Sequence, residues 1–221
     1  ALAIKERAYG RDHAEVARTL TNLGDVYRML GDDAKERDML ERALAIKERS
    51  YGREHTSVAL TLGNLGNAYG ELGDHAKEQD MLERALAINE RAYGRDHPTV
   101  ALTLTTLGCA YVDSGDHAKA REVMVRALAI FEREFGRDST FVATTLTNLG
   151  IAYGYLGDQA KKRDMLERAL PIQEREYGRD STQVATTLRE RAQPIRRPRE
   201  GTTHAGARAC DQGAGVRTRS R

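Results

Sequence analysis

Tyr93-Gly94-Arg95-Asp96-His97 is the third appearance of one short phrase in this chain. It stands earlier as Tyr9-Gly10-Arg11-Asp12-His13 and Tyr51-Gly52-Arg53-Glu54-His55, and returns as Phe135-Gly136-Arg137-Asp138 and Tyr177-Gly178-Arg179-Asp180. Each interval is 42 residues. Self-similarity at such a period marks a solenoid, whose units bury their apolar faces only against their neighbours. A long binding surface follows from that architecture more readily than a catalytic pocket.

Between two copies of the phrase the residues predict helix, tight turn, helix. Val16, Leu20, Leu23, Tyr27 and Leu30 recur in steps of three and four, which places them on one helical face. Gly24 interrupts that face, as do Gly66, Gly108 and Gly150 in the other copies. A mid-helix glycine costs about 1 kcal/mol relative to alanine, so a close approach by a partner helix is expected there. Gly31-Asp32 ends the first helix and starts the second, glycine suiting the left-handed end position and aspartate the N-cap. Met39, Leu40, Ala43, Leu44 and Ile46 form the apolar side of the second helix, with Lys35, Glu36, Arg37, Glu41, Arg42, Lys47 and Glu48 around the rest. A short turn makes the two helices antiparallel. Tyr9 is expected to close the second helix as its last apolar residue. Asp12, or the residue after His13, is expected to cap the next first helix.

This layout resembles the tetratricopeptide repeat. Leu20, Leu23, Gly24 and Tyr27 match its first-helix positions, Leu40 and Ala43 two of its second-helix positions. The period of 42 and the loop, complete in Tyr93 to Pro98, resemble the kinesin light chain-type subclass, which has longer second helices. The resemblance covers 1 to about 188. It implies an all-α fold, a right-handed superhelical solenoid of antiparallel helix pairs, with about four full repeats and partial helices at each end. Two departures stand out. The small residue expected at the inter-helix contact is Ala120 in the third copy but Glu36, Glu78 and Lys162 in the others, whose charged ends are expected to snorkel outward. Pro171 replaces the alanine of Ala45, Ala87 and Ala129 and is expected to kink or loosen its helix.

In such a superhelix the first helices line the concave face. Asn22, Asn64 and Asn148 share one position, with Thr106 in the third copy, and Asn67 lies one turn from Asn64. An amide offers both donor and acceptor, so a ladder of them can hold an extended peptide by its backbone. The resemblance implies peptide contact at Asn22, Asn64 and Asn148. By helical spacing Arg18, Asp25 and Arg28 flank the first of these, Thr105 lies in the third copy, and Thr147 and Tyr155 in the fourth. Their mixed charge points to a partly apolar peptide with few charges, not to an acidic one. The expected role is a protein–protein interaction scaffold or adaptor, and a partner protein or peptide is expected. The alternative is a regulatory repeat arm of a larger motor-associated or signalling protein, packing against a neighbouring domain.

Other chemistries find no footing. His13, His55 and His97 each stand one repeat apart, roughly 20 Å if every helix adds about 10 Å, whereas zinc ligands converge within a few Å. They read as loop and capping residues, and no metal or cofactor is expected. No phosphate-cradling loop or nucleophile elbow is present, so no enzyme activity is expected. The uncharged run Thr99 to Val112 is too short to cross a bilayer. Two isolated cysteines, Cys109 and Cys210, suit a reducing compartment such as the cytoplasm.

The net charge of +2 conceals a split. From Arg189 onward nine arginines face Glu190, Glu200 and Asp211, leaving +6 there and −4 on residues 1–188. The stretch 189–221 reads as a disordered basic tail, and no nucleic-acid role is assigned to it. Back-translating Gln193 to Arg199 and reading one base later yields asparagine, proline, tyrosine, glycine, aspartate, leucine, glycine. That parallels Asn67-Ala68-Tyr69-Gly70-Glu71-Leu72-Gly73, so the tail reads as out-of-frame translation of a further repeat. The last first helix, about Ser181 to Arg191, is expected to fray and leave Val184 and Leu188 partly exposed, a route to self-association through terminal helices.

Overall fold

The computed structural model describes residues 1–193. They form ten helices: α1 (Leu2–Tyr9), α2 (Ala14–Met29), α3 (Asp33–Tyr51), α4 (Thr56–Glu71), α5 (His75–Tyr93), α6 (Pro98–Asp113), α7 (His117–Phe135), α8 (Thr140–Tyr155), α9 (Gln159–Tyr177) and α10 (Thr182–Ala192). First helices of 16 residues alternate with second helices of 19. The longer second helix is the form expected of the 42-residue period. The expectations for residues 194–221, the out-of-frame reading among them, lie outside the described residues. α10 stands where the last first helix was expected, at about Ser181 to Arg191.

The helices start and stop where short-range chemistry directs. At each second helix an aspartate accepts from the backbone N–H three residues on: Asp32 from Lys35, Asp74 from Lys77, Asp116 from Lys119 and Asp158 from Lys161, at 3.0–3.2 Å. The same lysine turns its ammonium back to that aspartate and lies over a first-helix tyrosine, as Lys77 does at 4.8 Å from the Tyr69 ring. Bonding to lysine holds these four capping carboxyls below the usual aspartate range. Gly31 makes the turn between hairpin helices at φ +70°, in the left-handed region. The first helices α2, α4 and α6 are capped by the loop histidine itself, not by Asp12 or the residue after the histidine, and α8 and α10 by the serine in its place, Ser139 and Ser181. Nδ1 of His13 accepts from the Glu15 N–H at 3.2 Å, and His55 and His97 repeat the bond at 3.1 Å. Asp12 instead pairs with Arg49. Tyr9 is 55% exposed and stacks on His13 at 5.0 Å, so it braces the cap from outside the core.

The chain falls into two compact units, 1–103 and 104–221. In the first, Val16, Ala17, Leu20, Ala43 and Ile46 form one apolar layer, Leu40, Leu65, Ala68 and Tyr69 another, and Val58, Ala59, Leu62, Ala85 and Ile88 a third. In the second, Phe131, Met124, Leu146, Leu149 and Leu166 are buried, and Phe131 stacks on Phe141 at 5.2 Å. The close approach expected at the mid-helix glycines is present: a Cβ on Gly24 would lie 3.1 Å from Leu40 Cγ, and one on Gly108 2.6 Å from Met124 Cγ.

Three expectations need correction. Glu36 and Glu78 are each 1% exposed and Lys162 6%, so these side chains do not snorkel; they end inside the fold. Pro171 lies exposed within α9, which nevertheless keeps the same 19 residues as its counterparts. Val184 is 1% exposed, buried with Thr187 and Glu190 on one side of α10, whereas Leu188 is 42% exposed as expected.

Candidate functional site on the first-helix face

In the unit of residues 1–103, Asn22 is exposed and Asn64 and Asn67 are half-buried. Arg18 and Arg28 are exposed, with side chains 67% and 58% open, and Asp25 is half-buried between them on α2. On α4, Leu60 is 63% exposed, and a Cβ built on Gly63 would meet nothing within 4 Å. The face carrying Asn22 and Asn64 is thus open, polar at its asparagines and apolar at Leu60.

Below it lies a layer that residue typing alone misplaced. Lys47 of α3 was assigned to the polar side of its helix, yet it is 8% exposed. Its ammonium donates to Thr61 Oγ1 of α4 at 2.7 Å and to Thr21 Oγ1 of α2 at 3.2 Å, joining the two first helices across the second. Desolvation pushes its pKa below the usual lysine value, with Asp25 opposing the shift. One repeat on, Asn89 takes this position and donates to Thr103 Oγ1 at 3.0 Å. A signal was available in the sequence: positions 47, 89, 131 and 173 hold Lys, Asn, Phe and Gln, a spread unlike that of a solvated face.

Glu36 lies near the start of α3, with both carboxylate oxygens buried and without a hydrogen-bond partner. Burial raises its pKa to about 7, opposed by Arg28 and reinforced by Asp33, Asp25 and Glu71.

In the unit of residues 104–221 the equivalent positions are half-open in the third copy and closed in the fourth. Thr105 and Thr106 are half-buried, but Thr147 is 5% and Asn148 1% exposed. The Asn148 amide donates to Cys109 Sγ at 3.4 Å, and Thr147 Oγ1 joins Gln173 Nε2 and Thr187 Oγ1, both at 3.2 Å. Tyr155 is half-buried and stacks on His117 with centroids 4.3 Å apart. The asparagine ladder is therefore uneven: open at Asn22, half-open at Asn64, closed at Asn148. Among the described residues no group of three or more His, Cys, Asp or Glu is arranged to hold a metal ion, and no helix is long and apolar enough to cross a membrane.

A family model described as tetratricopeptide repeat matches residues 1–49, 37–91, 79–132 and 113–175. No curated protein is similar at a significant level. Solved structures are. BtubC (BKLC) from P. vanneervenii is 23% identical over 80% of this chain and 71% of that one, with a TM-score of 0.69. A Podosopora anserina kinesin light chain-type protein with nearly identical TPR-like repeats is 22% identical over 81% and 85%, also at 0.69. A Rap protein complexed with Competence and Sporulation Factor is 18% identical over 79% of this chain and 45% of its own, at 0.64. At these identities the likeness concerns the fold: paired helices repeated in tandem, with the kinesin light chain type among them.

Proposed function

This chain belongs to the tetratricopeptide repeat family, and on that premise we propose that it is a non-enzymatic scaffold that holds an extended segment of a partner protein. The segment lies on the first-helix face of α2 and α4, where Asn22, Asn64 and Asn67 present amides to its backbone and Arg18, Asp25, Arg28 and Leu60 read its side chains. In residues 104–221, Thr105 and Tyr155 are the accessible candidates. Thr147 and Asn148 are held inside by other side chains, and a ligand would reach them only by displacing those. The observation that carries the reading is the open place at Gly63, beside an exposed Asn22 and a half-buried Asn64. That a Rap protein of the same fold forms a complex with a factor lends support. Cys109, held as a thiol, suits a reducing compartment, and we place the protein in the cytoplasm.

The test is a peptide array probed with wild type, Asn22→Ala/Asn64→Ala and, as an interior control, Asn148→Ala. The double variant is expected to lose about tenfold or more in affinity, as removal of two bonding groups at about 1 kcal/mol each implies, with its thermal midpoint unchanged. Equal binding by the folded double variant removes the claim.

A second reading rests on a different observation. Ile4 is 73% exposed, whereas Ile46, Ile88, Ile130 and Ile172, its counterparts by the repeat, are 1–5% exposed. Leu188 is 42% exposed against 0–1% for Leu20, Leu62, Leu104 and Leu146. In the internal layers this isoleucine and this leucine pack together, as Ile46 does with Leu20. Two copies of the 221-residue chain would reproduce that contact by setting α1 of one against α10 of the other.

A further inference from the structure

Position 36 of the repeat places a side chain inside the fold, between two positions of the first-helix face. The fourth copy shows the geometry. Lys162 lies so close to Gly154 of α8 that a Cβ there would meet Lys162 Cδ at 2.9 Å, and its ammonium stands 3.5 Å from the Glu190 carboxylate of α10. The lysine and glutamate side chains are 7% and 8% exposed. This position thus holds a buried ion pair where the following first helix supplies the opposite charge. In the second copy Glu78 has the His75 ring at 3.1 Å, and in the third Ala120 is neutral.

The first copy differs. By the 42-residue period, Gly154 corresponds to position 112 and, three repeats back, to Arg28, and Glu190 corresponds to Asn64. The chain therefore offers Glu36 an amide where Lys162 finds a carboxylate. The Arg28 Nε is 4.0 Å away, on a side chain 58% exposed, and neither carboxylate oxygen accepts a hydrogen bond. Asp25 of α2, Asp33 of α3 and Glu71 of α4 all add to the negative potential at Glu36. A buried carboxylate without donors is costly, and the cost falls when a cation that can donate is set against it.

We propose that the face of α2 and α4 selects a partner segment carrying a lysine or arginine side chain, whose cationic head seats on Glu36 in place of Arg28. The inference rests on the peptide-binding reading above and names the chemistry of one contact. The ammonium or guanidinium supplies the donors Glu36 lacks, and the displaced Arg28 side chain turns to solvent, where most of it already lies. Asp25 and Glu71 draw a positive group toward the place and repel an acidic one. The cation is an organic one, since the surrounding carboxylates do not converge as metal ligands do. The aliphatic stem of the incoming residue would run past Leu60, which agrees with a segment of otherwise low charge.

The experiment uses the 221-residue chain, immobilised, and degenerate peptide pools at pH 8. In paired pools one position is fixed as lysine or norleucine, or as arginine or citrulline. The lysine and arginine pools are expected to be retained about tenfold or more over their neutral partners, the ratio for a charged hydrogen bond made out of water. Glu36→Gln is expected to abolish the preference, and Arg28→Ala, which clears the place, to enlarge it. Carbon NMR titration of the Glu36 carboxyl gives a readout that needs no variant: its midpoint is expected to fall when a selected lysine peptide binds. Retention of peptides without a cationic preference, or a preference unchanged in Glu36→Gln, overturns this inference and leaves the groove reading standing. Retention of no peptide at all overturns both.

Discussion

Glu36 illustrates how far one residue can depart from its type. Its pKa, raised from 4.5 to about 7 by burial, lies above the unfolded value, so the folded state binds the extra proton. The associated stability is present below about pH 4.5 and is lost as pH rises through about 7, and the shift is equivalent to about 3 kcal/mol. Glu36→Gln keeps the shape and removes the ionisation. Urea unfolding of the variant is expected to show higher stability than wild type at pH 8 and little difference near pH 4; a constant difference across that range would contradict the burial argument. The histidines teach the opposite lesson. His13, His55 and His97 are short-range devices, each holding the N–H two residues on, so a capping role is legible from the repeated loop.

Among the elements, α9 carries the clearest contradiction between local preference and place. Pro171 removes one helical hydrogen bond and crowds the preceding turn, yet the helix runs unbroken from Gln159 to Tyr177. Leu166, Ala169 and Ile172 of the same helix are 0–5% exposed, and their burial holds the turn against the proline's preference. A proline in a helix interior costs about 3 kcal/mol relative to alanine. Since the ring faces solvent, Pro171→Ala removes that cost without opening a cavity. We expect the variant to gain about 2–3 kcal/mol, read as a higher urea midpoint with an unchanged slope. A loss of stability would mean that the proline makes a packing contact.

At the scale of the whole molecule, stability is a sum over neighbouring hairpins, and a hairpin without its neighbour leaves apolar surface open. Ile4 and Leu188 are exposed where their internal counterparts are buried. Sedimentation of the 221-residue chain is expected to show concentration-dependent association that Ile4→Arg and Leu188→Arg each abolish. Association unaffected by either change would assign it to another surface. Much of this level was readable in advance, because the repeat itself says which positions face a neighbour: Leu20, Leu40, Ala43 and Ile46 are all buried as their spacing required. The candidate site was less legible. The repeat named Asn22, Asn64 and Asn148 as equivalents, and in the fold they range from exposed to 1% exposed.

Periodicity, turn glycines and capping aspartates act over a few residues, so the order, length and ends of the helices, and the family to which the repeat belongs, were determined by the sequence alone. Which polar side chains go inside was decided only by the tertiary structure. Lys47 finds its hydroxyls 14 and 26 residues away, and Asn148 meets a cysteine 39 residues back. Burial at such positions depends on what the neighbouring hairpin lays over them, and no local pattern encodes that.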